Sequence, residues 1–246
     1  MIEVTTINEF YAYFPDNLNE LVHRAEWLLK TFGNEPNYLR VFDKSGTARH
    51  VIWQIEAIHG SPIDSRQFAA GFDTAARILR ERTGALVGWG IDPTPLPPYG
   101  THEGPDPVAL RNAESIVMIN PYNITSQGPG APKPENQITE NERMAYARNI
   151  TATWTNSGIP YVATIIPGFD AHLVRPGQPA YGFHAEWLRQ QRILAVDNGN
   201  AGVAFDPVNG FTEGRTIYPT VEDGDTIARW ARETVAAHHI RWDSMP

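Results

Sequence analysis

His50 to Ile91, HVIWQIEAIHGSPIDSRQFAAGFDTAARILRERTGALVGWGI, holds a strand, a helix and a second strand in one run. His50 to Ile58 is apolar and β-branched, the pattern of a buried strand. Asp64 to Arg82 changes to helical spacing, with Asp64 or Ser65 as N-cap and Thr83-Gly84 as the stop. Ala85 to Ile91 returns to strand character. Repeated strand and helix in this order predicts parallel strands joined by crossover helices.

The same alternation extends outward. Leu18 to Phe32 sets Leu18, Leu21, Val22, Ala25, Leu28 and Leu29 on one helical face, with Gly33 as its stop. Pro107 to Asn112 reads as a helical turn leading into a compact apolar strand, Ser115 to Asn120. Thr139 to Asn156 reads as a helix whose Thr139-Glu140-Asn141-Glu142 start fits a capping box. Ile159 to Ile166 and Ala201 to Phe205 read as strands, and Phe183 to Ala195 and Asp223 to His238 as helices. Weaker strand signals lie at Ile2 to Thr5 and Tyr38 to Phe42. At least five strands after Arg49 favour a (β/α)8-type, TIM-like barrel with reduced units at its N-terminal end; an open doubly wound sheet ranks second. Pro93 to Pro107 and Gly128 to Pro134 are long loops rather than linkers, so residues 1–246 are expected to form a single domain.

Composition narrows the function. Among 246 residues, 20 Lys and Arg oppose 28 Asp and Glu, a net charge of −8, which argues against a nucleic-acid partner. No run of about 18 apolar residues occurs, so no membrane span is expected. Met1-Ile2-Glu3-Val4 has neither the basic start nor the apolar stretch of a leader, so the chain is expected to be cytoplasmic or a trimmed secreted form. Zero Cys removes disulfides, thiolate metal sites and cysteine nucleophiles. Seven Trp, nine Tyr and ten Phe beside 20 Gly and 20 Pro fit either a loop-rich core or an aromatic sugar-binding cleft.

Ligands of parallel α/β folds bind beyond the carboxyl ends of the strands. Here the apolar runs close with Gln54-Ile55-Glu56, Trp89-Gly90-Ile91-Asp92, Asn120-Pro121-Tyr122-Asn123, Pro167-Gly168-Phe169-Asp170-Ala171-His172 and Asp206-Pro207-Val208-Asn209-Gly210-Phe211-Thr212-Glu213-Gly214. Any one Asp or Asn there is explained by a turn or a cap, but five such ends gather carboxylates, amides and aromatic rings. Paired carboxylates with aromatics suit glycoside hydrolysis, in which one acid protonates the leaving oxygen. Glu213, in a Gly-rich loop directly after a strand, is the leading acid/base. Trp53, Trp89, Tyr122, Phe169 and Phe211 are candidate sugar platforms; core packing is favoured for Trp53 and Trp89, and a platform role for Tyr122 and Phe211.

The stretch Val203 to Thr220, VAFDPVNGFTEGRTIYPT, resembles the last barrel strand and loop of glycoside hydrolase family 99-like proteins, related to endo-α-mannosidases. Their pattern is roughly N-E-W-x-E-G-x-x-I-x-P, matched by Asn209, Glu213, Gly214, Ile217 and Pro219. Ile166-Pro167-Gly168-Phe169-Asp170 is similar to that group's P-G-[FYW]-D element, and Asn37 to Trp53 to its Y-L-x-[VI] segment before a strand. The resemblance implies a (β/α) barrel that cleaves α-linked mannosides or related glycans with retention, Glu213 being the general acid/base. The family's first glutamate falls on Gly210 and its Trp on Phe211. In the endo-α-mannosidases that glutamate assists the substrate's own 2-hydroxyl as nucleophile. Three answers stay open: another carboxylate, Asp92, Asp206 or Asp170, substitutes; the enzyme inverts through a water; or the site only binds sugar. The front of the barrel is also shorter than the family's, and completion by a partner subunit, a homo-oligomer, is one answer.

Other chemistries fit less well. Eight His include neither H-x-H nor H-E-x-x-H, and His238 and His239 fall near a helix end, where a structural role is expected. G-x-S-x-G, G-x-G-x-x-G and the phosphate-loop lysine are missing. The sequons at Asn123 and Asn149 are explained by chance. The reading is a glycosidase with Glu213 as proton donor and Asp92 or Asp206 as partner carboxylate. Glu56, Tyr122, Asn209, Asp170, His172, Phe211 and Trp89 are expected to hold the sugar. No metal or cofactor is expected, and a carbohydrate is the expected partner. The alternative is a catalytically silent carbohydrate-binding or scaffold protein on the same barrel.

Overall fold

A computed structural model describes residues 3–5, 18–42, 46–55, 65–92, 106–121, 137–174, 176–177, 179–197, 200–205, 209–210, 215–217, 219–221 and 223–243. The fold is mixed α/β, and the chain divides into two compact units. Unit 1 takes in Met1–Pro95, His102–Asn120 and Ser157–Ile159; unit 2 takes in Leu96–Thr101, Pro121–Asn156 and Pro160–Pro246.

Unit 1 runs β1 (Glu3–Thr5), α1 (Leu18–Phe32), β2 (Arg40–Phe42), β3 (Ala48–Ile55), α2 (Ser65–Thr83), β4 (Val87–Ile91), α3 (Pro107–Arg111) and β5 (Ile116–Ile119). β1, β3, β4 and β5 form a parallel ladder in that order, with Trp53 opposite Gly90 and Ile91 opposite Ile119. The apolar stripe of α1 is buried from Leu21 to Leu29, and α1 packs on α2, which turns Phe68, Phe72, Ala75 and Leu79 inward. Gly84 ends α2 with φ +74° while its N–H donates to the Arg80 carbonyl at 2.9 Å, a left-handed stop that costs glycine nothing. β2 departs from the parallel expectation: it pairs antiparallel with β3, Arg40 opposite His50. Only residues 43–47 join the two strands, too few for the crossover that a parallel pair needs.

Unit 2 runs α4 (Glu140–Thr155), β6 (Val162–Ile165), β7 (Gly168–Phe169), β8 (Tyr181–Gly182), α5 (Ala185–Val196), β9 (Gly202–Phe205), β10 (Asn209–Gly210), β11 (Arg215–Thr216) and α6 (Thr226–Asp243). β6 and β9 pair in parallel from Val162–Gly202 to Ile165–Phe205, with α5 in the crossover. The capping box forms: Thr139 Oγ1 accepts the Glu142 N–H, and the Glu142 carboxylate accepts the Thr139 N–H. α5 begins two residues later than its periodicity suggests. Phe183 has φ +61°, outside the helical range, and His184 is the N-cap, its Nδ1 accepting the Trp187 N–H. The two-residue strands β7, β8, β10 and β11 carry no periodic signal in the sequence. Around them Ile165, Ile166, Phe169, Tyr181, Trp187 and Trp230 form one apolar cluster. Among the described residues, no helix is long and apolar enough to cross a membrane.

Candidate functional site

Side chains alternate across a strand, and this sorts the residues of β4. Trp89 lies on the helix side: its indole N–H donates to the Phe72 carbonyl of α2 at 3.0 Å, and its ring is fully enclosed. Trp89 is therefore a core ring with no open face. Gly88 and Gly90 lie on the other side of the sheet. A Cβ at Gly88 would stand 2.7 Å from a Val117 methyl carbon, and one at Gly90 would stand 3.1 Å from Met118 Cγ and 3.4 Å from Trp53 Cδ1. The glycines clear this face for Trp53 and the β5 side chains.

Asp92 continues β4 beyond its carboxyl end, and Asn120 continues β5. The Asn120 N–H donates to the Ile91 carbonyl at 2.9 Å, which sets Asn120 beside Asp92. Both are almost wholly buried, Asp92 at 2% exposure and Asn120 at 1%. A carboxylate and an amide held in low-polarity surroundings are costly unless they serve structure or a ligand. Their place is where parallel α/β folds bind ligands.

In unit 2, Asp170 and His172 follow β7. Asp170 Oδ1 accepts the His172 backbone N–H at 3.2 Å and also engages Nδ1 of the same ring. The bond from the His172 side chain, then that from its backbone, holds the Asp170 carboxyl below the usual carboxylate range. Both side chains are exposed, and pairing through Nδ1 leaves Nε2 of His172 as the outward nitrogen. The base of this segment is closely packed. Phe169, a platform candidate, is buried and stacks on Tyr181 with centroids 5.4 Å apart, and the buried Arg143 guanidinium lies 4.4 Å from the Tyr181 centroid.

Glu140 was not picked out by the sequence. Its Oε1 accepts the Gly182 N–H at 2.7 Å and its Oε2 pairs with His184 Nε2 at 2.8 Å. Because His184 Nδ1 accepts a backbone N–H, Nε2 carries the proton and donates. The bracket joins α4 to the β8–α5 turn more than 40 residues further on, and no local pattern announces it.

Glu56, Tyr122, Asp206, Phe211 and Glu213 lie outside the described residues. Asn209 is placed in β10 opposite Thr216, and Gly210 opposite Arg215. His238 has the structural role expected of it, its Nε2 bonding the Asn200 carbonyl at 3.0 Å. Among the described residues, no group of three potential ligands is arranged to hold a metal. Three open clefts in unit 1, of about 490, 510 and 350 Å³, lie at the amino ends of β3 and β4 and between α2 and α3. The largest two carry arginines, Arg49, Arg77 and Arg80 in one and Arg82 in the other. They are away from the strand ends where ligand chemistry is expected.

Comparison with solved structures finds a similar fold in glycoside hydrolase family 99 endo-α-mannosidases and in a glycoside hydrolase-like protein. The GH99 endo-α-mannosidase from Bacteroides thetaiotaomicron in complex with BIS-TRIS-propane matches with a TM-score of 0.62 and 13% identity, over 97% of this chain and 70% of that one. A second structure of GH99 endo-α-mannosidase from the same organism matches at 0.62 and 12% identity, over 96% of this chain and 65% of that one. A glycoside hydrolase-like protein matches at 0.53 and 16% identity, over 90% of this chain and 60% of that one. At these identities the likeness is one of fold. The sequence matches no family model and no curated protein.

Proposed function

We propose that this chain is a (β/α)-barrel glycoside hydrolase of the family 99 type, a single domain acting on an α-linked glycan, a mannoside or a related sugar. The carrying observation is the fold likeness to two endo-α-mannosidase structures over nearly the whole of this chain. Glu213 donates the proton to the departing glycosidic oxygen, and Asp92 or Asp206 is the partner carboxylate. Asn209, Tyr122, Asp170 and Glu56 hold hydroxyls, with His172 and Phe211 beside the sugar. Burial of Asp92 at a strand's carboxyl end supports its place in this set. The partner class is carbohydrate, with neither nucleic acid nor bilayer involved.

Gly210, standing where the family pattern has its first glutamate, favours a second reading, a protein that binds glycan without cleaving it. A screen of α-linked glycans with the native chain and Glu213→Gln separates the two. Sugar release by the native chain and its loss in Glu213→Gln is the expected result. Equal release by both, or binding with release by neither, defeats the enzymatic reading.

A further inference from the structure

Trp53 is only 5% exposed, yet among the described residues its indole nitrogen has no hydrogen-bond partner. Three other enclosed indoles behave differently. Trp89 donates to Phe72, Trp187 to the Ile166 carbonyl at 3.1 Å, and Trp230 to the Leu188 carbonyl at 2.9 Å. A buried donor left unsatisfied loses its bond to water without replacement, so native structures seldom keep one without another use for it.

The surroundings point to that use. Cδ1, the carbon bonded to the indole nitrogen, lies 3.4 Å from the place a Cβ would take at Gly90. The pyrrole edge of Trp53 therefore overlooks the bare backbone of Gly90, its register partner in β4. Two residues further along β4, on the same face, comes Asp92, with Asn120 beside it. Two residues of parallel strand span about 6.6 Å, so along the β4 backbone Asp92 follows Gly90 by about the width of a sugar ring.

We propose that Trp53 belongs to a glycan subsite through its edge rather than its face: Nε1–H donates to one sugar hydroxyl while Asp92 accepts from another. The ring itself remains a packing element. This inference rests on the glycan reading above and adds to it the donor that fixes the sugar's orientation. A polyol with adjacent hydroxyls answers both groups at once, because each hydroxyl both donates and accepts.

The test uses the full chain, methyl α-mannopyranoside and its four monodeoxy analogues, with affinity measured by calorimetry. Trp53→Phe keeps an aromatic ring and removes the donor together with the fused pyrrole ring, so the comparison among the deoxy analogues isolates the hydrogen bond. The expected result is a loss of about 2- to 12-fold in affinity for the parent sugar, the size of one neutral hydrogen bond. One deoxy analogue is expected to bind both proteins equally weakly, since its missing hydroxyl is the one Trp53 serves. A second measurement needs no variant. In native protein labelled with ¹⁵N, the indole signal close to the Gly90 α-protons is expected to move downfield on sugar addition. Parent sugar binding equally well to both proteins, with that signal unmoved, overturns the role of Trp53 and leaves the glycan reading intact. No binding of any of these sugars to the native chain overturns both.

Discussion

Gly168 and Gly182 face each other across the β7–β8 pair so closely that a Cβ added to Gly182 would lie 2.6 Å from Gly168 Cα. The approach lets the Phe183 ring fold over Gly168, where a Cβ would stand 2.4 Å from two ring carbons. Phe183 holds this position with φ +61°, a conformation that costs an L-residue about 1–2 kcal/mol. Glu140 fixes the same turn by accepting the Gly182 N–H and pairing with His184. The turn carries Tyr181, and so the stack beneath the Asp170 segment.

Gly182→Ala is expected to destabilise the protein by about 3 kcal/mol or more, because φ +87° and a backbone collision act together. Gly84→Ala, with φ +74° but nothing within 4 Å of the added carbon, is expected to cost only about 1 kcal/mol. Urea unfolding of the two variants checks the difference. Equal midpoints would show that close packing at Gly182 contributes nothing.

Asp73 ties α2 to the start of β5. Its Oδ1 accepts the Ser115 N–H at 2.9 Å and the Ser115 hydroxyl at 2.6 Å, and its Oδ2 accepts the Glu114 N–H at 3.3 Å. Ser115 is 2% exposed, so removing the carboxylate strands buried donors. Asp73→Ala is expected to cost about 2–3 kcal/mol in chemical unfolding. A change below about 0.5 kcal/mol contradicts the anchor.

Tyr38 is buried, and its hydroxyl donates to the Val51 carbonyl at 3.1 Å. Burial pushes its pKa up to about 12. The folded value lies above the unfolded one near 10, so this stabilisation is complete below pH 10 and is lost as pH climbs toward and through 12. Over that window the native chain is expected to lose roughly 2 kcal/mol more stability than Tyr38→Phe. Parallel pH profiles for the two proteins are the contrary result.

Asp170 is expected to titrate below the ordinary aspartate range in a carboxyl-carbon NMR titration. His172→Ala should return it to that range, since the bonds from His172 are its largest causes. Sign follows from the depressed folded value: what the pair adds to stability is present above the usual aspartate pKa and disappears as pH falls through the lowered one. The contribution is small because both groups are exposed. An unchanged Asp170 titration in the variant shows that the pairing does not form in solution.

The sequence by itself determined the order of the principal elements, because periodicity reports which face of a segment is apolar. The stripe of α1, the capping box at Thr139 and the glycine stop at Gly84 are all local devices, written within a few residues of where they act. It also directed attention to Asp92 and Asp170, since strand ends are visible as the places where apolar runs give way to polar residues. The antiparallel run of β2 follows from the short 43–47 link, though the Tyr38 to Phe42 signal alone does not give a direction.

Only the tertiary structure decided which aromatic rings are core and which polar atoms lack partners. Trp53 and Trp89 have similar sequence settings, yet the Trp89 indole N–H meets a helix carbonyl and that of Trp53 meets no acceptor among the described residues. The Glu140–Gly182–His184 bracket and the close approach of Gly168 to Gly182 likewise join residues far apart along the chain. Hydrophobic pattern fixes the side of an element that turns inward, whereas hydrogen-bond satisfaction depends on the atoms that arrive there from elsewhere in the chain.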